Sequence, residues 1–315
     1  MNETLADLGE FALIDRITKD LVRGPQVRLG PGDDAAVLSL DGALVVSTDA
    51  MAEGVHFRND WVSAADVGHR AVAGAVADIE AMGAVPVGVL IGLTLPKETR
   101  VSWVDQFMEG VREECEAGTV SLVGGDLTAG SAIHIAVTVL GQTRGQPVIL
   151  RSGAQPGDAV AYRGRLGWAA AGLAVLMRGF RSPRAVVGAY QRPQVPYGAG
   201  LEAARNQATS LIDISDGLIA DLGHIAAASL VVIDIDTGTL PVPAPLEAVA
   251  HATGRDPVDF LLSGGEDHAL AGTFPFGKVP PLWTVIGRVE APGGRDPAVL
   301  VDGTEWLGTR GWTHF

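Results

Sequence analysis

Short apolar runs in this chain repeatedly end at a carboxylate set among glycine, serine or threonine. Ala43-Leu44-Val45-Val46 runs into Ser47-Thr48-Asp49, and Val120-Ser121-Leu122-Val123 into Gly124-Gly125-Asp126. Leu211-Ile212 runs into Asp213-Ile214-Ser215-Asp216-Gly217, and Leu261-Leu262 into Ser263-Gly264-Gly265-Glu266-Asp267. Runs this short and rich in branched residues read mostly as buried strands. Longer segments with helical spacing lie between them, and the alternation predicts an α/β (mixed α+β) fold.

Helices are expected over 8–21, where Phe11, Ile14, Ile17 and Leu21 share a face, over 67–82 from a cap at Asp66 to a stop at Gly83, and over 102–117 from Ser102. Others are expected over 168–178 after Gly167, over 197–207 after Pro196, and over 218–228. Strands are expected over 43–47, ending at Thr48-Asp49, and over 85–95, 120–123, 133–140, 158–162, 211–214, 231–235, 268–274 and 284–289. The 315 residues allow two domains of about 150 residues each. Gly141, Gly145 and Pro147 mark the boundary between domains 1–145 and 146–315.

Charge and composition exclude several classes. The formal net charge is −14, with no basic run, so a nucleic-acid backbone would be repelled. Lysine occurs only at Lys19, Lys97 and Lys278, and Val279 follows Gly277-Lys278, so neither a Walker A loop nor a protein-kinase lysine strand is present. Cys115 is the single cysteine, which excludes an internal disulfide and a cysteine-built zinc site and fits a reducing, cytoplasmic compartment. The chain lacks H-E-x-x-H and G-x-S-x-G. Glu3, Asp7 and Glu10 are wrong for a signal peptide, and no apolar stretch reads as a membrane span. Gly30-Pro31-Gly32-Asp33-Asp34-Ala35 fits G-x-G-x-x-A, but two carboxylates fill its variable positions and would repel a pyrophosphate.

What remains is chemistry for carboxylates on tight loops. Mg²⁺ binds oxygen ligands, usually one or two carboxylates with waters and substrate phosphates. Aspartates gathered in one place repel one another unless cations sit between them. Spread over the surface, the same loops would be ordinary Asp-Gly turns.

The ordered set of strings is far more specific than any one of them. It runs Gly32-Asp33-Asp34-Ala35-Ala36-Val37, Ser47-Thr48-Asp49 to Gly54-Val55-His56-Phe57, Ala77-Asp78-Ile79-Glu80-Ala81-Met82-Gly83, and Gly124-Gly125-Asp126. Arg151-Ser152-Gly153, Asp213-Ile214-Ser215-Asp216-Gly217-Leu218, Ser263-Gly264-Gly265-Glu266-Asp267 and the ending Gly311-Trp312-Thr313-His314-Phe315 complete it. Over nearly the whole chain, the set resembles the thiamine-monophosphate kinases of the aminoimidazole-ribonucleotide synthetase superfamily.

That resemblance implies ATP-dependent phosphorylation of thiamine monophosphate to thiamine diphosphate. It also implies a homodimer whose N-terminal α/β domains pair into a shared β-barrel, a C-terminal α/β domain, and ATP with several Mg²⁺ ions in a cleft. By matched position it makes Asp34, Ser47, Thr48, Asp49, Asp78 and Asp126 magnesium ligands in the first domain and Asp213 and Asp216 in the second. Gly125, Asp126, Arg151 and Ser215 match ATP contacts, and His56 and Glu266 match thiamine-phosphate contacts. Asp33 lies beside the ligand set, and Trp312 would either stack on the thiamine ring or pack on the second domain. Leu127, Ala77 and His268-Ala269 depart from the family pattern, the first two by removing hydroxyls.

Plainer roles exist for some of these residues. His56 suits a loop, Arg151 could pair with Asp158, and Glu266-Asp267 could flank a turn. His224, His268 and Cys115 read as structural. The acceptor phosphate monoester is already anionic near neutral pH, so no general base is needed and direct in-line transfer is expected. Rivals are an aminoimidazole-ribonucleotide synthetase-like enzyme and a non-catalytic acidic metal-binding protein. Selenophosphate synthetase is disfavoured because Lys19 is the only early lysine and Cys115 is mid-chain.

Overall fold

The computed structural model describes residues 3–309 and 311. The chain divides into two compact units, Met1–Ile79 with Val85–Gly145, and Glu80–Ala84 with Gln146–Phe315.

The first unit begins with α1 (Leu5–Leu8), α2 (Glu10–Thr18) and a small pair, β1 (Val27–Leu29) with β2 (Val37–Leu38). Then come β3 (Leu44–Ala52), α3 (Ala64–Ala81), β4 (Val85–Leu95), α4 (Val101–Ala117), β5 (Ser121–Ala129) and β6 (His134–Gln142). The last four strands make one sheet in the order β3-β6-β4-β5. β6 runs antiparallel to both β3 and β4, and β4 runs parallel to β5. β4 is the unbroken apolar run of the sequence because it is an inner strand, buried along most of its length. Helices α3 and α4 pack through glycines: a Cβ on Gly110 would lie 1.9 Å from the Ala65 carbonyl oxygen, and one on Gly68 2.1 Å from that of Phe107.

Three sequence expectations shift at this level. β3 and β5 do not stop at their carboxylates but continue to Ala52 and Ala129, because β6 and β4 pair with them through Asp49 and Asp126. The cap of α3 is Ser63, not Asp66. The Asp66 N–H donates to Ser63 Oγ, and Asp66 Oδ2 accepts from the Ser63 N–H, the reciprocal arrangement of a capping box. The first helix is also split and shorter, α2 ending at Thr18.

The second unit holds β7 (Ala159–Arg163), α5 (Trp168–Met177), α6 (Arg184–Gln191), α7 (Ala199–Arg205), β8 (Ser210–Ile214), α8 (Leu218–Ser229) and β9 (Val232–Ile235). α9 (Ala244–Thr253), α10 (Pro257–Ser263), β10 (Ala269–Phe274), β11 (Thr284–Glu290), β12 (Ala298–Val301) and β13 (Thr304–Glu305) follow. The strands form one sheet ordered β13-β12-β9-β11-β7-β10-β8, antiparallel except for β12 with β9. Its core includes Leu211, Leu270, Phe274 and Trp283. Phe274 and Trp283 meet edge to face at 5.0 Å. The Trp283 Nε1–H donates to Glu202 Oε2, so this buried indole is satisfied. Glu80 belongs to this unit. Its two carboxylate oxygens accept the Gly198 and Gly200 N–H groups, each at 2.8 Å, at the opening of α7.

Candidate functional site

In the first unit, β3 carries Ser47, Thr48 and Asp49 side by side. Side chains alternate along a strand. Ser47 and Asp49 therefore share the half-buried face, and Thr48 takes the exposed one. Asp78 projects from the last turns of α3, and the Ser47 hydroxyl donates to its Oδ2 at 2.6 Å. The structure thus brings Ser47 and Asp78 together, with Asp49 on the same strand face.

Asp33 and Asp34 lie on the loop between β1 and β2, where the Asp34 N–H donates to Asp33 Oδ1 at 2.8 Å. This loop and the Gly124–Leu127 segment of β5 wall one cavity of about 310 Å³, floored by Ile91, Leu93, Phe107 and Met108. Only glycine fits at position 125, since a Cβ there would sit 2.2 Å from the Ile91 carbonyl oxygen. Asp126 is exposed and also borders a second cavity of about 230 Å³, together with His56 and Thr94. The Ala52 N–H donates to His56 Nδ1 at 3.0 Å, so in the neutral ring the proton resides on Nε2.

Among the described residues, no three His, Cys, Asp or Glu side chains converge closely enough to hold an ion by themselves. The donor set nevertheless fits Mg²⁺. It consists of hard carboxylate and hydroxyl oxygens that are partly open to solvent, and Mg²⁺ takes few protein ligands, keeping waters and phosphates for the rest.

In the second unit, the antiparallel order β8-β10-β7 puts the ends of β8 and β7 beside the start of β10. The loops 215–217, 164–167 and 263–268 are therefore gathered at one edge of the sheet. Asp213 is buried near the end of β8, with Oδ2 3.4 Å from His268 Nδ1. The Ser215, Asp216 and Gly217 N–H groups all donate to Asp221 Oδ2, at 3.1, 3.1 and 3.0 Å. Burial pushes the Asp221 carboxyl up to about 7, partly offset by the Gly217 N–H and reinforced by Asp213 and Asp216. The Glu266 N–H donates to the Ser215 carbonyl at 2.8 Å, and Glu266 itself is held at φ 68°.

Asp267 is buried. Its Oδ1 accepts the Ala169 N–H at 2.8 Å. The unit thus groups Ser215, Asp216 and Glu266. Arg151 lies elsewhere, with the neighbouring Leu150 carbonyl accepting the Leu211 N–H at the other end of β8. Asp158 accepts the Gln155 N–H and the Thr209 hydroxyl, and among the described residues it makes no ion pair with Arg151. Trp312 lies outside the described residues.

Sequence reasoning missed the role of Asp221. The available signal was an acid in the first turn after Asp216-Gly217, where an unsatisfied helix start attracts a carboxylate. Cys115 is buried in α4, and burial, with Glu114 adding to it, pushes its thiol up to about 12, as suits a structural cysteine.

A family model, AIR synthase related protein, N-terminal domain, matches residues 32–143. A thiamine-monophosphate kinase of Mycobacterium tuberculosis is 45% identical, covering 99% of this chain and 93% of its own. A crystal structure of thiamine-monophosphate kinase from Stenotrophomonas maltophilia K279a superposes with a TM-score of 0.81 at 33% identity, covering 95% of this chain and 98% of that one. AaThiL complexed with AMPPCP and TMP superposes with a TM-score of 0.78 at 34% identity, covering 98% of each chain. A chain so similar along its full length belongs to the thiamine-monophosphate kinase family.

Proposed function

We propose that this chain transfers the γ-phosphoryl group of ATP to thiamine monophosphate, directly and in line, giving thiamine diphosphate and ADP. The observation that carries this is full-length similarity to kinases of that name, one relative having been solved with AMPPCP and TMP. The phosphate of the acceptor has a second pKa near about 6, so it is already the nucleophile at neutral pH. The chain has only to bring two polyanions together and hold them in line.

Asp34, Ser47, Thr48, Asp49, Asp78 and Asp126 in the first unit, and Asp213 and Asp216 in the second, are the residues that would hold Mg²⁺. Bound there, the metal would neutralise phosphate charge and stabilise the charge that develops on the transferred group. The chain's own part is to fix the oxygens. Ser47 restrains Asp78 through its hydroxyl. Gly125 lets β5 lie directly against the Ile91 backbone of β4, which fixes the strand that carries Asp126. Arg151 and Ser215 would contact ATP, and His56 and Glu266 would contact thiamine monophosphate. The Ala52 N–H orients the His56 ring so that Nε2–H can serve as a donor. Trp312 would either stack on the thiamine ring or pack on the second domain.

A homodimer is part of the same proposal. Leu44 and Val46 on edge strand β3 are 53% and 54% exposed, and an apolar edge of this kind favours a covering partner, in this case a second copy. Among the described residues no helix is long and apolar enough to cross a membrane. The lone buried cysteine supports a reducing cytoplasm. The N-terminal domain 1–145 would then bind ATP and Mg²⁺ and dimerise, with 146–315 as its α/β companion.

Asp49→Ala and Asp126→Ala are the variants that test the ligand set. Each is expected to fold and to lose ATP-dependent conversion of thiamine monophosphate, and unchanged turnover in either would sink the assignment. A phosphorylated protein trapped during turnover would refute direct transfer.

A further inference from the structure

Two buried aspartates outside the proposed ligand set make unusual use of their carboxylates. Asp221 Oδ2 accepts three consecutive N–H groups, from Ser215, Asp216 and Gly217. Consecutive backbone N–H groups of this kind form a concavity for an anion, and the anion that fills this one comes from the chain's own helix α8. Asp267 anchors backbone at a distance. From the loop before β10 its Oδ1 accepts the Ala169 N–H at 2.8 Å at the opening of α5, which has no local side-chain cap. Its Oδ2 has no hydrogen-bond partner among the described residues.

The two loops also lock onto one another through their backbones. A Cβ on Gly265 would lie 2.3 Å from the Ser215 carbonyl oxygen, and one on Gly217 2.8 Å from the Ser263 carbonyl carbon. Gly217 has φ 132°, and Glu266 and His268, on either side of Asp267, have φ 68° and 50°. Side chains rarely hold such angles unless their surroundings over-determine them.

We propose that Asp221 and Asp267 are positioning residues. Asp221 sets the backbone that presents Ser215 and Asp216 to the nucleotide and its metal, and Asp267 sets the strained turn that presents Glu266 to thiamine monophosphate. The nucleotide and thiamine assignments rest on the function proposed above; the two backbone anchors do not.

The test compares Asn, Ala and Glu variants at both positions. Asn keeps an acceptor oxygen, Ala removes it, and Glu moves the charge by one methylene and serves where Ala does not fold. Asp221→Ala and Asp221→Glu are expected to raise the KM for Mg²⁺-ATP about tenfold or more, leaving that for thiamine monophosphate within about threefold. Asp267→Ala and Asp267→Glu should show the reverse split. The Asn variants should return both constants to within about threefold of the parent.

Residue-resolved amide hydrogen exchange supplies a readout that does not depend on turnover. Asp221→Ala or Asp221→Glu should accelerate exchange at 215–217, and Asp267→Ala or Asp267→Glu at Ala169, with the centres of α5 and α8 unchanged. Unchanged local exchange, or a uniform acceleration across the unit with parental KM values, would overturn the proposal. A parent protein that fails to phosphorylate thiamine monophosphate would sink the proposed function, while the exchange pattern would still decide whether these carboxylates anchor the loops.

Discussion

The Ser47 hydroxyl donates a 2.6 Å hydrogen bond to Asp78 Oδ2, joining strand β3 to helix α3 across 31 residues of sequence. It fixes one carboxylate of the proposed ligand set against the strand that carries another, Asp49. Losing one hydrogen bond to a half-buried charged group costs about 1.5–3 kcal/mol, less than a typical fold can spare. Ser47→Ala should therefore fold, with the Mg²⁺ concentration for half-maximal turnover raised about tenfold. Asp78→Ala should lose turnover at any Mg²⁺ concentration. A Mg²⁺ titration of turnover checks both, and a Ser47→Ala curve lying on that of the parent would remove the serine from the site.

Glycines at neighbouring places in one sheet should differ sharply in what they tolerate. A Cβ on Gly125 would meet the Ile91 carbonyl oxygen at 2.2 Å, whereas one on Gly92 would meet nothing closer than 3.8 Å. Strand backbone yields less readily than the tip of a side chain, so Gly125→Ala should lose about 1–3 kcal/mol of stability. Gly92→Ala should stay within about 0.5 kcal/mol of the parent. Urea unfolding of the two variants side by side is the measurement, and equal midpoints would contradict this close packing of β5 against β4.

Burial pushes the Asp267 carboxyl up to about 7, against the pull of the Ala169 and Gly167 N–H groups and of His268. Between the ordinary aspartate value of 3.8 and about 7, the folded chain binds this proton more tightly than the unfolded chain does. The stability tied to this group is therefore fully present below 3.8 and is lost as pH rises through about 7. Asp267→Asn cannot titrate, so unfolding free energies should move in favour of the variant as the pH rises from about 5 to about 8. A parent-to-variant difference that stays constant over that range would mean the carboxyl is not held in this way.

The sequence made the ordered carboxylate strings legible, and β4 over Val85–Leu95 as well, because a strand buried along most of its length reads as a near-continuous apolar run. It also marked α5, opening after a glycine in the left-handed region at Gly167. β3 and β5 ran past their aspartates because pairing with β6 and β4, decided by distant residues, outweighs a local stop. α9 opens with Pro245 in its first turn, just after Pro241 and Pro243, and α10 opens with Pro257, so proline marks helix starts at both places. Asp221 and Asp267 were hidden for a different reason. A buried carboxylate that serves backbone N–H groups has no motif of its own, and for Asp267 the partner, the Ala169 N–H, lies 98 residues away.

One measurement bears on the central claim most directly. The purified chain is incubated with ATP, Mg²⁺ and thiamine monophosphate, and nucleotide and thiamine products are quantified together. Thiamine diphosphate and ADP should appear in equal amounts, with no release of inorganic phosphate. ADP and inorganic phosphate without thiamine diphosphate, or no nucleotide turnover at all, would contradict it.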